Sequence, residues 1–180
     1  MGGRRLCLGC NRFFCDYSLD ERRNFIAHLL EAYNPARIVE PRNLTPAEKK
    51  YARQQIFHHQ DRPGKNRKWT CDTYLEKLEK SGGVCKVTRI DGSFLNMAKS
   101  EVRFLKLVTD RKYNDDPYDI NTTQVMLHAC NNMKAADPRF DSKDKNPDEV
   151  SSISVMRLHI ERHIAYQQNL LSTGLFAGDL

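Results

Sequence analysis

Residues 125–134 read Val125-Met126-Leu127-His128-Ala129-Cys130-Asn131-Asn132-Met133-Lys134, an apolar triplet that runs into a polar, helix-compatible segment. The triplet reads as a short strand and Asn131 to Ala136 as the start of a helix. Upstream, Val102 to Val108 is dominated by β-branched and apolar residues, so a strand is expected there, and another over Val84 to Thr88. Lys112 to Asn121, which holds Asn114-Asp115-Asp116-Pro117, is a loop by its turn residues. The second half of the chain therefore carries a small β element that passes into a helix.

Working outward, the flanks are helical. Ser18 and Glu21 form a capping box ahead of Phe25, Ile26, Leu29, Leu30 and Tyr33, and Asn34-Pro35 ends that helix. Thr45 and Glu48, with Pro46 at the first helical position, open a second helix that runs to about His59. A third, about Thr70 to Lys80, places Tyr74, Leu75 and Leu78 on one face and stops at Gly82-Gly83. A last helix from about Val150 to Leu171 has Ile153, Met156, Ile160, Ile164 and Leu171 on its apolar side and Gly174 as its cap. The expected class is α+β, mostly helical, with a small β element.

The 180 residues carry 29 Lys and Arg against 23 Asp and Glu, a formal net charge of +6, which favours an anionic partner, most often nucleic acid. The excess is uneven: residues 1–70 hold 14 basic against 7 acidic residues, whereas residues 71–180 hold 15 against 16. No apolar run approaches the roughly 18 residues of a membrane span, and Met1-Gly2-Gly3-Arg4-Arg5-Leu6 lacks the apolar core of a signal peptide. The expectation is a soluble, intracellular protein with no membrane partner. With no secretory signal, the six cysteines read as reduced thiols or metal ligands in preference to a disulfide framework.

The order of pieces from Leu78-Glu79-Lys80-Ser81-Gly82-Gly83-Val84-Cys85-Lys86-Val87-Thr88, through Leu107-Val108-Thr109-Asp110-Arg111 and Tyr118, to the 125–134 segment resembles the HNH endonuclease family, in particular its phage and large-virus members. That resemblance implies a ββα-metal domain hydrolysing DNA phosphodiester bonds. It implies Mg²⁺, or Mn²⁺, held by Asp110 at a strand end and Asn131 at a helix start, the cation polarising the phosphate and stabilising the leaving oxygen. Lys134, one turn beyond Asn131, would face the same side and contact phosphate.

Two positions depart from the family pattern. Arg111 stands where the resemblance places the general-base His, and a guanidinium with a pKa above about 12 cannot accept a proton near neutrality. The middle Asn of the motif falls on Thr122, with Asn121 adjacent. His128, or the His58-His59 pair, are the substitute bases to consider, and Arg111 could clamp a phosphate. The expectation is thus a metal-dependent endonuclease or, alternatively, a catalytically inactive HNH fold that binds nucleic acid or serves a larger assembly. A zinc-knuckle interaction protein unrelated to the family is a third reading.

Structural zinc in the family is held by two Cys pairs, but here Cys85-Lys86-Val87-Thr88 and Leu127-His128-Ala129-Cys130 keep one sulfur each, which favours buried apolar cysteines over a site completed by His128 or Cys71. Cys7 and Cys10 have knuckle spacing with Cys15 nearby, and His28, His58 or His59 could complete a zinc site; unligated thiols are the alternative. His159 and His163 share a helix face but lack the Glu that a metalloprotease needs after the first His. The expected organisation is a basic helical arm over 1–68, an HNH-like core over 69–140, and a polar loop with a helix over 141–180, with Lys65, Arg67 and Lys68 gripping the DNA backbone.

Overall fold

The structure is a computed structural model that describes residues 17–60, 70–95, 102–112, 116, 118–136 and 152–172. Cys7, Cys10, Cys15, Lys65, Arg67, Lys68 and Gly174 lie outside the described residues. Among those described, five α-helices surround one two-stranded antiparallel sheet, a mostly helical α+β architecture. No described helix is long and apolar enough to cross a membrane.

Helix α1 (Leu19–Ala32) begins at the expected capping box: the Ser18 amide donates to Glu21 Oε2 at 2.8 Å and the Glu21 amide to Ser18 Oγ at 3.3 Å. It buries Phe25 and Leu29. Helix α2 (Pro46–Gln60) starts at the Thr45–Glu48 box and contributes Ala52 and Ile56. Helix α3 (Cys71–Lys80) buries Tyr74, Leu75 and Leu78, the face read from their spacing, and packs on α2. It stops at Gly82 and Gly83, whose φ values of 63° and 75° suit glycine in the left-handed region.

Strand β1 (Leu107–Arg111) pairs with β2 (Thr123–Leu127) in the register Leu107↔Leu127, Asp110↔Gln124 and Arg111↔Thr123. All of β2 is buried, whereas β1 alternates, with Leu107 and Thr109 inside and Val108 and Asp110 half-buried on the other face. Helix α4 (His128–Ala136) follows β2 without a loop, and helix α5 (Ser152–Ser172) packs against α1 through Met156 and Ile160. Tyr17, Phe25, Leu44, Ile56, Leu78, Met126, Met133 and Ile160 all belong to one core, so side chains from both ends of the chain enclose the hairpin and α4.

Three local expectations are corrected. Val84 to Thr88 is not a strand: Val84 makes an isolated bridge to Asp91, and the chain then closes on itself, Cys85 N donating to Ile90 O and Arg89 N to Cys85 O, each at 2.9 Å. Val87 and Thr88 are fully buried there, so their β-branched character serves packing in a turn. Residues 103–105 form a 3₁₀ turn that sets Phe104 against Phe25, with ring centroids 5.2 Å apart, and the strand begins only at Leu107. Helix α4 starts at His128, three residues before the expected Asn131.

One ion pair under this fold gives an acid-stability prediction. Arg42 donates Nη1 and Nη2 to Glu48 at 2.9 and 2.6 Å, and this pairing outweighs burial to hold the Glu48 carboxyl at about 2, against an ordinary 4.5. The unfolded chain takes up this proton first, so the stabilisation is full above 4.5 and is lost as pH falls from there towards about 2. Glu48→Gln is expected to cost about 2 kcal/mol at neutral pH and to flatten the acid limb of a stability profile measured by urea unfolding.

Candidate functional site

The hairpin and α4 bring Asp110 and Lys134 together. Three residues of β1 separate Leu107 from Asp110, about 10 Å at strand rise, and six residues of α4 separate His128 from Lys134, about 9 Å at helix rise. With His128 starting at the Leu107 end, Lys134 arrives level with Asp110. Its Nζ donates to Asp110 Oδ2 at 2.7 Å and also to the Arg111 carbonyl. Both side chains are sequestered, with 2% of Lys134 and 14% of Asp110 exposed.

The ammonium expected to contact phosphate here faces inward and is paired with the carboxylate expected to bind a metal. A hard divalent cation needs that carboxylate oxygen with water and phosphate around it. Here the oxygen already holds a buried cation, and a second positive centre beside it would be repelled at close range in a low-dielectric setting. The residues present therefore do not fit a Mg²⁺ or Mn²⁺ centre in this arrangement. Asn131, half-buried, is on the Lys134 side of α4 but about one turn nearer the Leu107 end.

The remaining candidates are engaged elsewhere. Arg111 donates Nη1 to the Asp116 carbonyl at 3.1 Å and lies 5.2 Å from the Tyr118 ring centroid, so it ties the end of β1 to these two residues. Thr122, in the place of the motif's middle Asn, has its hydroxyl 3.4 Å from the Asp119 carbonyl, and the Asn121 amide donates to Asp119 Oδ1 at 2.8 Å. His128 Nδ1 lies 3.4 Å from Tyr17 Oη with the rings edge to face, roughly 10 Å along the hairpin from Asp110. It is thus not positioned as a base for water at Asp110. His58 and His59 occupy the last turn of α2.

Cys85 and Cys130 form a second constellation at the other end of the hairpin. Both are fully buried with sulfurs 3.9 Å apart, and the Leu127 amide points at Cys85 Sγ at 3.3 Å. Burial acts to raise the Cys85 thiol, but donors from Cys130, Thr88 and Leu127 outweigh it and bring it down to about 6; Cys130, bonded to Cys85 and buried, is pushed up. The 85–90 turn, termed the knuckle, carries Thr88 at the position where the resemblance implied a second sulfur. Cys71 is half-buried in the first turn of α3, and no three His, Cys, Asp or Glu side chains converge as metal ligands among the described residues. His163 is depressed by burial and then by His159, and its Nε2 lies 3.4 Å from Gln167 Nε2.

Sequence reasoning missed the anchoring of the knuckle by Arg157, on α5, whose Nε and Nη2 donate to the Val87 and Lys86 carbonyls at 2.8 and 3.1 Å. No local signal marks a contact across seventy residues. It also missed the Tyr33 hydroxyl's bond to Glu161 Oε1 at 2.9 Å. Comparison with family models, with curated proteins and with solved structures finds no match for this chain.

Proposed function

We propose that this chain is a nucleic-acid-binding module on a ββα scaffold in which the hydrolytic site implied by the HNH resemblance has become a structural ion pair. One observation carries this reading: the buried Lys134 ammonium sits on Asp110 Oδ2 at 2.7 Å, where the resemblance would put a divalent cation. The positions of Arg111 and His128 support it, since neither supplies a base at Asp110. The net charge of +6 supports a polyanionic partner.

Metal-dependent DNA cleavage is the second reading, favoured by the chain order of β1, β2 and α4 with Asp110 at a strand end and Asn131 in the helix. A plasmid assay with Mg²⁺ and with Mn²⁺ separates them. The full chain is expected to retard supercoiled plasmid without nicking it, and Asp110→Asn and Asn131→Ala, each checked for folding by circular dichroism, are expected to behave alike. Nicking by the parent that both substitutions abolish would establish the nuclease instead.

A further inference from the structure

We propose that the knuckle surface formed by Lys86, Arg89, Lys112 and Arg157, with Lys77 at its edge, is where the phosphate backbone of duplex DNA docks. This rests on the nucleic-acid-binding reading above and moves the contact from the 65–68 loop to a folded surface.

The residues come from four separate stretches of sequence, and the fold gathers them. The Lys86 amide donates to the Val125 carbonyl at 2.9 Å, which sets the knuckle on β2, and the Lys112 amide donates to Thr122 at 2.6 Å, which places Lys112 beyond the far end of the same strand. Arg157 is fixed by its bonds to the Val87 and Lys86 carbonyls, and Lys77 by Nζ donating to the Ile120 carbonyl at 2.7 Å. Their charges lie close enough to act on one another. Burial lowers Lys77, Lys86 and Arg89, and neighbouring cations lower them further: Lys112 and Lys86 at Lys77, Arg89, Arg157 and Lys112 at Lys86, and Arg157 at Arg89.

Several basic side chains elsewhere are neutralised by carboxylates. Arg37, Arg42, Lys49, Arg103 and Lys134 each sit on a carboxylate within 3.3 Å. None of the five knuckle cations is in an ion pair among the described residues; Cys85 lies near Arg89 and Asp119 near Lys77. Arg89 adds a feature that mere solvation does not explain. It is a non-glycine residue at φ 62°, and its Nε is buried without a hydrogen-bond partner among the described residues. Half-buried Arg89 thus adds a guanidinium held by a fixed backbone turn beside exposed Lys86, which strengthens the positive charge of this surface towards a phosphate backbone.

The test is fluorescence anisotropy of a labelled DNA duplex across a salt series with the full chain. Lys86→Glu/Lys112→Glu is compared with Lys50→Glu/Arg53→Glu on α2, which makes the same change in net charge at residues outside the cluster. Both pairs contain exposed residues, apart from the ends of the knuckle's own hydrogen bonds, and folding is verified by circular dichroism. The expected result is at least tenfold weaker binding by the knuckle variant, a salt slope reduced by about 2, and a change of less than about threefold in the α2 variant. Equal weakening by the two pairs would overturn the docking surface while leaving DNA binding intact. No binding by the parent at low salt would overturn both readings, and capture by phosphatidylserine vesicles without duplex binding would replace DNA by a membrane surface.

Discussion

Lys134→Met is expected to lower unfolding stability by about 3–5 kcal/mol, because it removes the only cation bonded to Asp110 Oδ2 among the described residues and strands a carboxylate in a setting where it is 14% exposed. Methionine keeps the length and most of the volume of the lysine, so the loss reports charge more than packing. Asp110→Asn removes the charge but keeps an acceptor oxygen for the ammonium, which also donates to the Arg111 carbonyl, and is expected to cost less. The double variant should recover much of the loss, with a coupling of about 2 kcal/mol or more in a urea-unfolding cycle. If Asp110 were instead a metal ligand held ready for catalysis, Lys134→Met would cost little and the coupling would be near zero.

Gly82→Ala is expected to be nearly as damaging, at about 3 kcal/mol. Gly82 has φ 63°, which alanine adopts only with strain, and an added Cβ would meet the Glu40 carbonyl oxygen well inside contact distance and Val39 Cγ1 at 2.8 Å. The clash is with backbone and cannot be relieved by a rotamer change, so the 39–42 segment must move, and with it the Arg42 bond from its amide to the Glu79 carbonyl at 3.0 Å. Chemical denaturation of Gly82→Ala beside Gly92→Ala, a glycine with no positive φ, distinguishes backbone strain from crowding alone.

The helices were legible because their signals are local. The Ser18–Glu21 and Thr45–Glu48 boxes and the Tyr74, Leu75, Leu78 spacing each specify an end or a face within a few residues, and all three appear as read. The knuckle was not legible, because Val84, Val87 and Thr88 carry strand propensity while their positions are set by burial and by the closing bonds of Cys85 and Arg89. The site shows the same division. Asp110 at a strand end was implied by the resemblance and Asn131 and Lys134 on one helix by their spacing, but which of them stands level with Asp110 depends on where α4 begins. With a start at His128, that place goes to Lys134, and its charge reverses the chemistry inferred for the carboxylate. The cationic surface had no linear signature, since its residues are brought together only by the turn, the hairpin and α5.

The direct test of that ion pair is the response of isotopically labelled protein to Mn²⁺, read as paramagnetic broadening of the backbone signals of Asp110, Asn131 and Lys134 together with the Lys134 ammonium resonance. The ion pair predicts a Lys134 ammonium signal protected from solvent and no broadening at these residues beyond that of the rest of the described chain. Selective broadening at Asp110 and Asn131, with loss of the protected ammonium signal, would mean that a metal displaces Lys134 and that the site is catalytic after all.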